Sequence, residues 1–231
     1  MAVALIVGAG PGLSASLARQ LAERGHHVVL AARNAAKLAA LAEEIGGTAI
    51  ECDARDPTDV ASLFDRIDAL DGPLDVAIYN AAARVQGPID ELDAGAVENV
   101  LMVTAYGAFL MAHHAARRML AEGRGTMLFT GASAGIKGFP GSAPFAMGKF
   151  ALRGLCQSLA RELHPRNIHV GHVVIDGGIG GTPQSGRFNA RDGEDAVLDP
   201  DAVARSYMAL IDQHRSAWSW EIELRPWVEA F

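Results

Sequence analysis

The sequence predicts a single α/β domain built on a parallel sheet with helices on both faces. Three observations predict it. Short, continuous apolar runs alternate with stretches whose apolar residues recur every three or four positions, the signatures of buried parallel strands and of amphipathic helices. The first switch between the two periods falls at a glycine turn, Gly8-Ala9-Gly10-Pro11-Gly12. Finally, 231 residues with 50% hydrophobic content suffice for one well-buried domain and are short for two.

Val3 to Val7 is the first apolar run, and Leu13, Leu17 and Leu21 carry the helical spacing that follows. Glycine lets the backbone approach an anion, and the amide groups and positive dipole end of a helix starting at Gly12 and Leu13 point towards it. A dinucleotide pyrophosphate fits Gly8, Gly10 and Gly12. An ordinary strand-to-helix turn is the alternative, and the order strand, glycines, helix favours the nucleotide. His27 to Ala32 is the second strand and ends at Arg33. A carboxylate there would bind a ribose 2′-hydroxyl, whereas a guanidinium attracts a 2′-phosphate, so NADP(H) is expected over NAD(H). A solvated arginine at a strand end is the competing reading.

Lys37 to Ile45 reads as a helix and Thr48 to Cys52 as a strand ending at Asp53, a candidate for the adenine end of the nucleotide. Pro57 suits a helix start, with Asp59 to Leu70 amphipathic, before the strand Leu74 to Tyr79. The small residues after Asn80, beginning with Ala81, leave room for a cofactor against the backbone. Val97 to Leu120 is the longest helical pattern. Its Gly107 implies close approach by a neighbour, since glycine costs about 1 kcal/mol against alanine inside a helix. Thr126 to Thr130 is the next strand, Phe145 to Leu163 a helix with a Leu152, Leu155, Leu159, Leu163 stripe, and Ile168 to Ile175 a further strand. The stripe suits a core or a subunit interface. Residues from Gly177 to Asp199 form an irregular segment long enough to be a substrate lid. Pro200 to Gln213 and Ser219 to Leu224 close the chain as helix and strand.

A net charge of -7 argues against a nucleic-acid partner, which needs clustered Lys and Arg. Cys52 and Cys156 stand apart in apolar surroundings, so buried unreactive thiols and a cytoplasmic location are expected. The N-terminal apolar run is too short for a signal peptide or membrane anchor. The adjacent pairs His26-His27 and His113-His114 diverge by about 100° on a helix or face opposite sides of a strand. His169 and His172 have opposite parity, and no metal site is expected.

The glycine turn, Asn80-Ala81 and Lys149 on the helix after the fifth strand together resemble the short-chain dehydrogenase/reductase family, over essentially the whole chain. The resemblance implies a Rossmann-type doubly wound sheet of seven strands, a nicotinamide cofactor, a small-molecule substrate and a homodimer or homotetramer. The family's Gly-x-x-x-Gly-x-Gly falls on Gly8, Gly12 and Ser14, and its Pro-Gly pair near Asp176-Gly177, placing Gly177 beside the cofactor. Its Tyr-x-x-x-Lys motif falls on Phe145 to Lys149, so a phenylalanine stands where the general-acid tyrosine is expected. The catalytic serine position falls on Ala132, with Ser133 adjacent, and the helix asparagine on Thr104. Lys149 alone of the four is unchanged. The resemblance therefore implies Lys149 at the nicotinamide ribose, Ser133 as a catalytic hydroxyl, and Thr104 and Phe145 in the substrate pocket. Ser142 and Lys137 are further substitute donors, although each also reads as a loop residue. Phe145 has no proton to give, so two functions follow: an oxidoreductase with an atypical catalytic set, or an NADP(H)-binding protein without turnover. The run Gly131 to Gly135 fits the hydrolase pattern Gly-x-Ser-x-Gly, but that chemistry needs a helix directly after the serine and a Gly/Pro loop follows.

Overall fold

The structure, a computed structural model, describes residues 1–181 and 195–229. Among these residues seven strands form one sheet: β1 (Val3–Val7), β2 (His27–Ala32), β3 (Thr48–Glu51), β4 (Leu74–Tyr79), β5 (Gly125–Thr130), β6 (Ile168–Ile175) and β7 (Glu221–Leu224). All pairings are parallel, in the order β3-β2-β1-β4-β5-β6-β7. The order reverses between β1 and β4, and open α/β sheets bind ligands at that crevice. The expected strands fall in place within two residues at each end.

Among the described residues seven α-helices cover the sheet: α1 (Leu13–Glu23), α2 (Ala39–Glu44), α3 (Pro57–Asp68), α4 (Ala94–Leu101), α5 (Gly107–Glu122), α6 (Ala143–Leu163) and α7 (Pro200–Ile211). The sheet separates two cores. On one face Ala4 and Ile6 meet Leu17 and Leu21 of α1 and Val203 and Tyr207 of α7. On the other, Val3, Leu5 and Val7 meet Leu63 and Phe64 of α3, Met111 of α5 and Leu152 of α6. Alternate side chains of β1 thus enter opposite cores, which is why every residue of the run is apolar. The leucine stripe of α6 belongs to the core: Leu152 and Leu163 are buried, and Leu155 and Leu159 pack against the same cluster.

Helix starts follow their caps. Asp56 accepts from the Thr58 and Asp59 amides ahead of Pro57, and Asp199 accepts from the Ala202 amide ahead of Pro200. The long helical pattern is not uniform, however. Residues Met102–Tyr106 form a π-turn between α4 and α5. It leaves the Val103 carbonyl to accept the Tyr79 hydroxyl. A Cβ on Gly107 would lie 2.6 Å from the Ala54 carbonyl oxygen and overlap the Tyr79 hydroxyl, which is the close approach expected there. By length and hydropathy the run Ala94–Glu122 passes as a membrane span, but Ala108, Met111, Ala115 and Met119 are core residues packed against the sheet.

Candidate active site

Two cavities lie side by side at the carboxyl ends of the strands. The smaller, of about 240 Å³, is walled by Gly8 and Ala9, by Arg33 and Asp53, and by Asn80, Ala81 and Ala82. The larger, of about 560 Å³, also touches Asn80 and Ala82, and runs past Ser133, Phe145 and Lys149 to Gly177. Gly8, Arg33, Asp53 and Ala81 thus group on the smaller cavity and Ser133, Phe145, Lys149 and Gly177 on the larger, with Asn80 on both, while Gly10, Gly12, Leu13 and Thr104 line neither.

The glycine turn is tied to that segment. Ser14, which replaces the third glycine of the motif, is buried. Its hydroxyl donates to the Gly8 carbonyl at 3.3 Å and accepts from Asn80 Nδ2 at 2.7 Å. The substitution thus adds a cross-link between the first and fourth strands at the point where the sheet order reverses. Gly8 has φ +82, and a Cβ there would fall 2.5 Å from the Ala81 Cα. Its glycine is required by chain packing as well as by turn geometry. Gly10 differs, since a Cβ there meets nothing within 4 Å and points into open space. Gly12 is the residue before α1 with φ 78, and Leu13, at the first helical position, turns its side chain into the core.

Asp53 is not isolated at the adenine end. The Arg55 guanidinium beside it holds its carboxyl below the ordinary value, with the charge of Arg33 acting in the same direction. Cys52 lies on the same wall, and burial pushes its thiol up to about 12. Cys156 is buried as well.

Lys149 is the most buried cation of the site, at 3% exposure. Its Nζ donates to the Thr130 carbonyl at 2.7 Å. An ammonium carries three donors, so this bond leaves capacity for ribose hydroxyls. Burial lowers its pKa from 10.5 to about 8. The unfolded chain therefore holds this proton more tightly, and the buried charge costs stability below about pH 8; the cost disappears as pH rises towards 10.5. Lys149→Met is expected to be more stable than wild type near neutral pH by about 2 kcal/mol, allowing for the lost hydrogen bond. In denaturant titrations the gap should close by about pH 10. An equal gap at both pH values would contradict a depressed lysine.

Phe145 faces the larger cavity, its ring centroid 5.7 Å from Lys149 Nζ. Ser133 lies on the same wall, in a 3-10 turn of three residues, Ser133–Gly135. No helix follows until Ala143, so the nucleophile-elbow geometry is absent. Ser142 also lines the cavity, but its hydroxyl accepts from Gln86 Nε2 at 3.3 Å. Lys137 sits over the Phe139 ring at 5.5 Å.

Thr104, expected in the substrate pocket, is fully buried and is not among the residues lining the larger cavity. Its hydroxyl accepts from the Ala83 amide at 3.3 Å, and its methyl-bearing face packs on Gly148. It thus lies on the π-turn at the joint between α6 and the segment after β4. Of the segment 177–199, expected to be a substrate lid, residues 182–194 lie outside the described residues; Gly177 to Gly181 are described, and the Gly180 amide donates to the Leu198 carbonyl.

The histidines are engaged in packing. His172 Nδ1 lies 2.9 Å from Glu221 and His169 Nε2 3.0 Å from the Ser219 carbonyl. The rings of His113 and His114 are closer than the 100° divergence suggests, edge to face with centroids 5.4 Å apart, because Phe109 and Phe64 stack on them. Among the described residues no three His, Cys, Asp or Glu side chains converge. Sequence reasoning missed Ser14 as a cross-link and Arg84 as a cavity residue; the polar interruption of an alanine run at Arg84 was the available signal.

A doubly wound parallel sheet, a glycine turn at its switch point, and a divided cleft ending at a buried lysine define a nucleotide-binding α/β protein of the oxidoreductase type. The family model for short chain dehydrogenases matches residues 2–191, and the chain belongs to the short-chain dehydrogenase/reductase family, whose members are NAD(P)-dependent oxidoreductases. A short-chain dehydrogenase from Rhodopseudomonas palustris is similar across 98% of this chain and 99% of that one, with 37% identity and a TM-score of 0.84. A metagenomic short-chain oxidoreductase solved in complex with NADP is 27% identical, with a TM-score of 0.83 over 97% of this chain and 96% of that one. Short chain aldehyde dehydrogenase 1 of Euphorbia lathyris is 30% identical over 218 residues, 90% of this chain and 73% of that protein.

Proposed function

We propose that the protein is an NADP(H)-dependent oxidoreductase whose catalytic set lacks the tyrosine acid. The observation that carries this reading is the buried Lys149 ammonium, which lines a cavity adjoining, across Asn80 and Ala82, the one walled by the glycine turn. The NADP complex of the similar metagenomic enzyme supports a nicotinamide cofactor. That cofactor supplies a hydride when bound, and the chain supplies its placement. Gly8, Gly10, Gly12 and the amides from Leu13 receive the pyrophosphate. Arg33 receives the 2′-phosphate, Asp53 the adenine, Asn80 and Ala81 the adenosine side, and Lys149 and Gly177 the nicotinamide ribose. Ser133 is the hydroxyl assigned to the reacting group, since it adjoins the family's serine position at Ala132 and lines the larger cavity beside Phe145 and Lys149.

Arg33→Ala is expected to weaken NADPH at least tenfold while changing NADH less than about threefold, because the guanidinium meets only the 2′-phosphate. Calorimetric titration of both cofactors measures this, and equal losses would remove the assignment. Phe145 favours a second reading, cofactor binding without turnover, since its ring carries no proton. NADPH consumption with aldehyde, ketone, enone and imine substrates separates the two.

Self-association through the exposed Tyr106, Phe109, Met147 and Phe150, on the adjoining π-turn, α5 and α6, fits a homodimer or homotetramer. Two separate buried thiols fit a reducing cytoplasm.

A further inference from the structure

The segment leaving β4 brings an arginine to the aromatic ring that replaces the family's acid. Arg84 lines the larger cavity, and its guanidinium carbon lies 4.9 Å from the centroid of the Phe145 ring. The backbone around it is pinned on both sides. The Ala83 amide donates to Thr104 Oγ1 at 3.3 Å, Gln86 Nε2 donates to Ser142 at 3.3 Å, and the Gly87 amide donates to the Gly141 carbonyl at 3.0 Å. Arg84 is exposed, and the cleft is what it is exposed to.

A guanidinium resting by its face on an aromatic ring still presents its N–H donors around its edge, in the planar fork that matches a carboxylate. Lys149 adds a second positive charge, 5.7 Å from the same ring centroid. Two carboxylates also line the cavity, Asp176 and Glu229, and Asp176 is paired with Arg225 at 3.3 Å. In a chain of net charge -7, two cations thus stand around one ring, on the Phe145 side of the cavity that Asp176 and Glu229 also line. The remaining wall is mainly apolar, with Ala132, Phe139, Pro140, Ile175 and Ile179.

We propose that this cavity takes a substrate with a carboxylate on an apolar body, and that Arg84 reads the carboxylate. The proposal deepens the oxidoreductase reading and rests on it for turnover, whereas recognition of the anion is a binding property that stands separately. A neutral compound of the same shape would desolvate the guanidinium without offering it a negative charge, so charge rather than size would select the ligand.

The test titrates the full chain, with and without saturating NADPH, with benzoate and phenylacetate and with their neutral partners benzamide and phenylacetamide. Each acid is expected to bind at least about tenfold tighter than its amide. Arg84→Gln should abolish that preference while leaving the amides within about twofold and the melting temperature unchanged, and Arg84→Lys should keep only part of it. Equal binding of acid and amide, no measurable binding of the acids, or a preference that survives Arg84→Gln would overturn the proposal. So would displacement of NADPH by the acids, which would place the anion in the cofactor's phosphate site. A chain that neither binds nor consumes NADPH, yet loses its acid preference in Arg84→Gln, would leave this proposal standing and remove the oxidoreductase reading.

Discussion

Gly8→Ala is expected to destabilise the protein by more than about 3 kcal/mol, a size reserved for steric conflict in a well-packed interior. The new Cβ would fall 2.5 Å from the Ala81 Cα, on a residue with φ +82. Both partners are backbone held in the sheet, because the Gly8 amide donates to the Ala31 carbonyl at 2.9 Å and the Asn80 amide to the Val7 carbonyl at 2.8 Å. Neither strand end has slack to give. Gly10→Ala provides the contrast, since its Cβ meets nothing within 4 Å. Its stability should change by less than about 1 kcal/mol, while NADPH affinity falls if the pyrophosphate lies over Gly10. Urea denaturation and calorimetric titration of the two variants measure both quantities. A Gly8→Ala chain as stable as wild type would show that the turn moves independently of β4.

Phe145→Tyr is expected to raise NADPH-dependent carbonyl reduction by about 10² to 10⁴, the usual contribution of a positioned general acid. The ring already faces the larger cavity, with Lys149 Nζ 5.7 Å from its centroid. The new phenol therefore gains a cation nearby to stabilise its ionised form. Steady-state rates with aldehydes and ketones measure the gain. If the variant turns over and wild type does not, cofactor binding without turnover describes the natural protein. If both turn over at similar rates, Ser133 or solvent already delivers the proton.

Much of the fold was legible because the central strands are buried on both sides and so appear as nearly continuous apolar runs, as in β1 and β2. The β1 residues Ala4 and Ile6 face one core and Leu5 and Val7 the other, and no polar alternation blurs the pattern. Cap residues with proline, as at Asp56 and Asp199, marked helix starts for the same local reason. The π-turn at Met102–Tyr106 was not legible. It adds one residue to a helical turn without changing composition, and the partner of its Val103 carbonyl is a distant hydroxyl, that of Tyr79. Thr104 lies on that turn and is fully buried, and a motif position fixes a residue along the chain and not the direction of its side chain. The grouping of Gly8, Arg33, Asp53 and Asn80 followed from strand ends, whereas the Ser14 cross-link and the approach of Arg84 to Phe145 depend on side-chain reach across the crevice.

The wall shared by the two cavities is made by Asn80 and Ala82, with Ala81 between them on the smaller side. Alanine has no rotamers to lose, and the Asn80 amide group is already held by Ser14. A long ligand can lie along this stretch without immobilising any side chain that was previously mobile, so the entropy of association is spared where the ligand crosses from one cavity to the other. A flexible side chain introduced at Ala81 or Ala82 would charge about 0.5 to 1.5 kcal/mol for its own ordering, even if it made no clash.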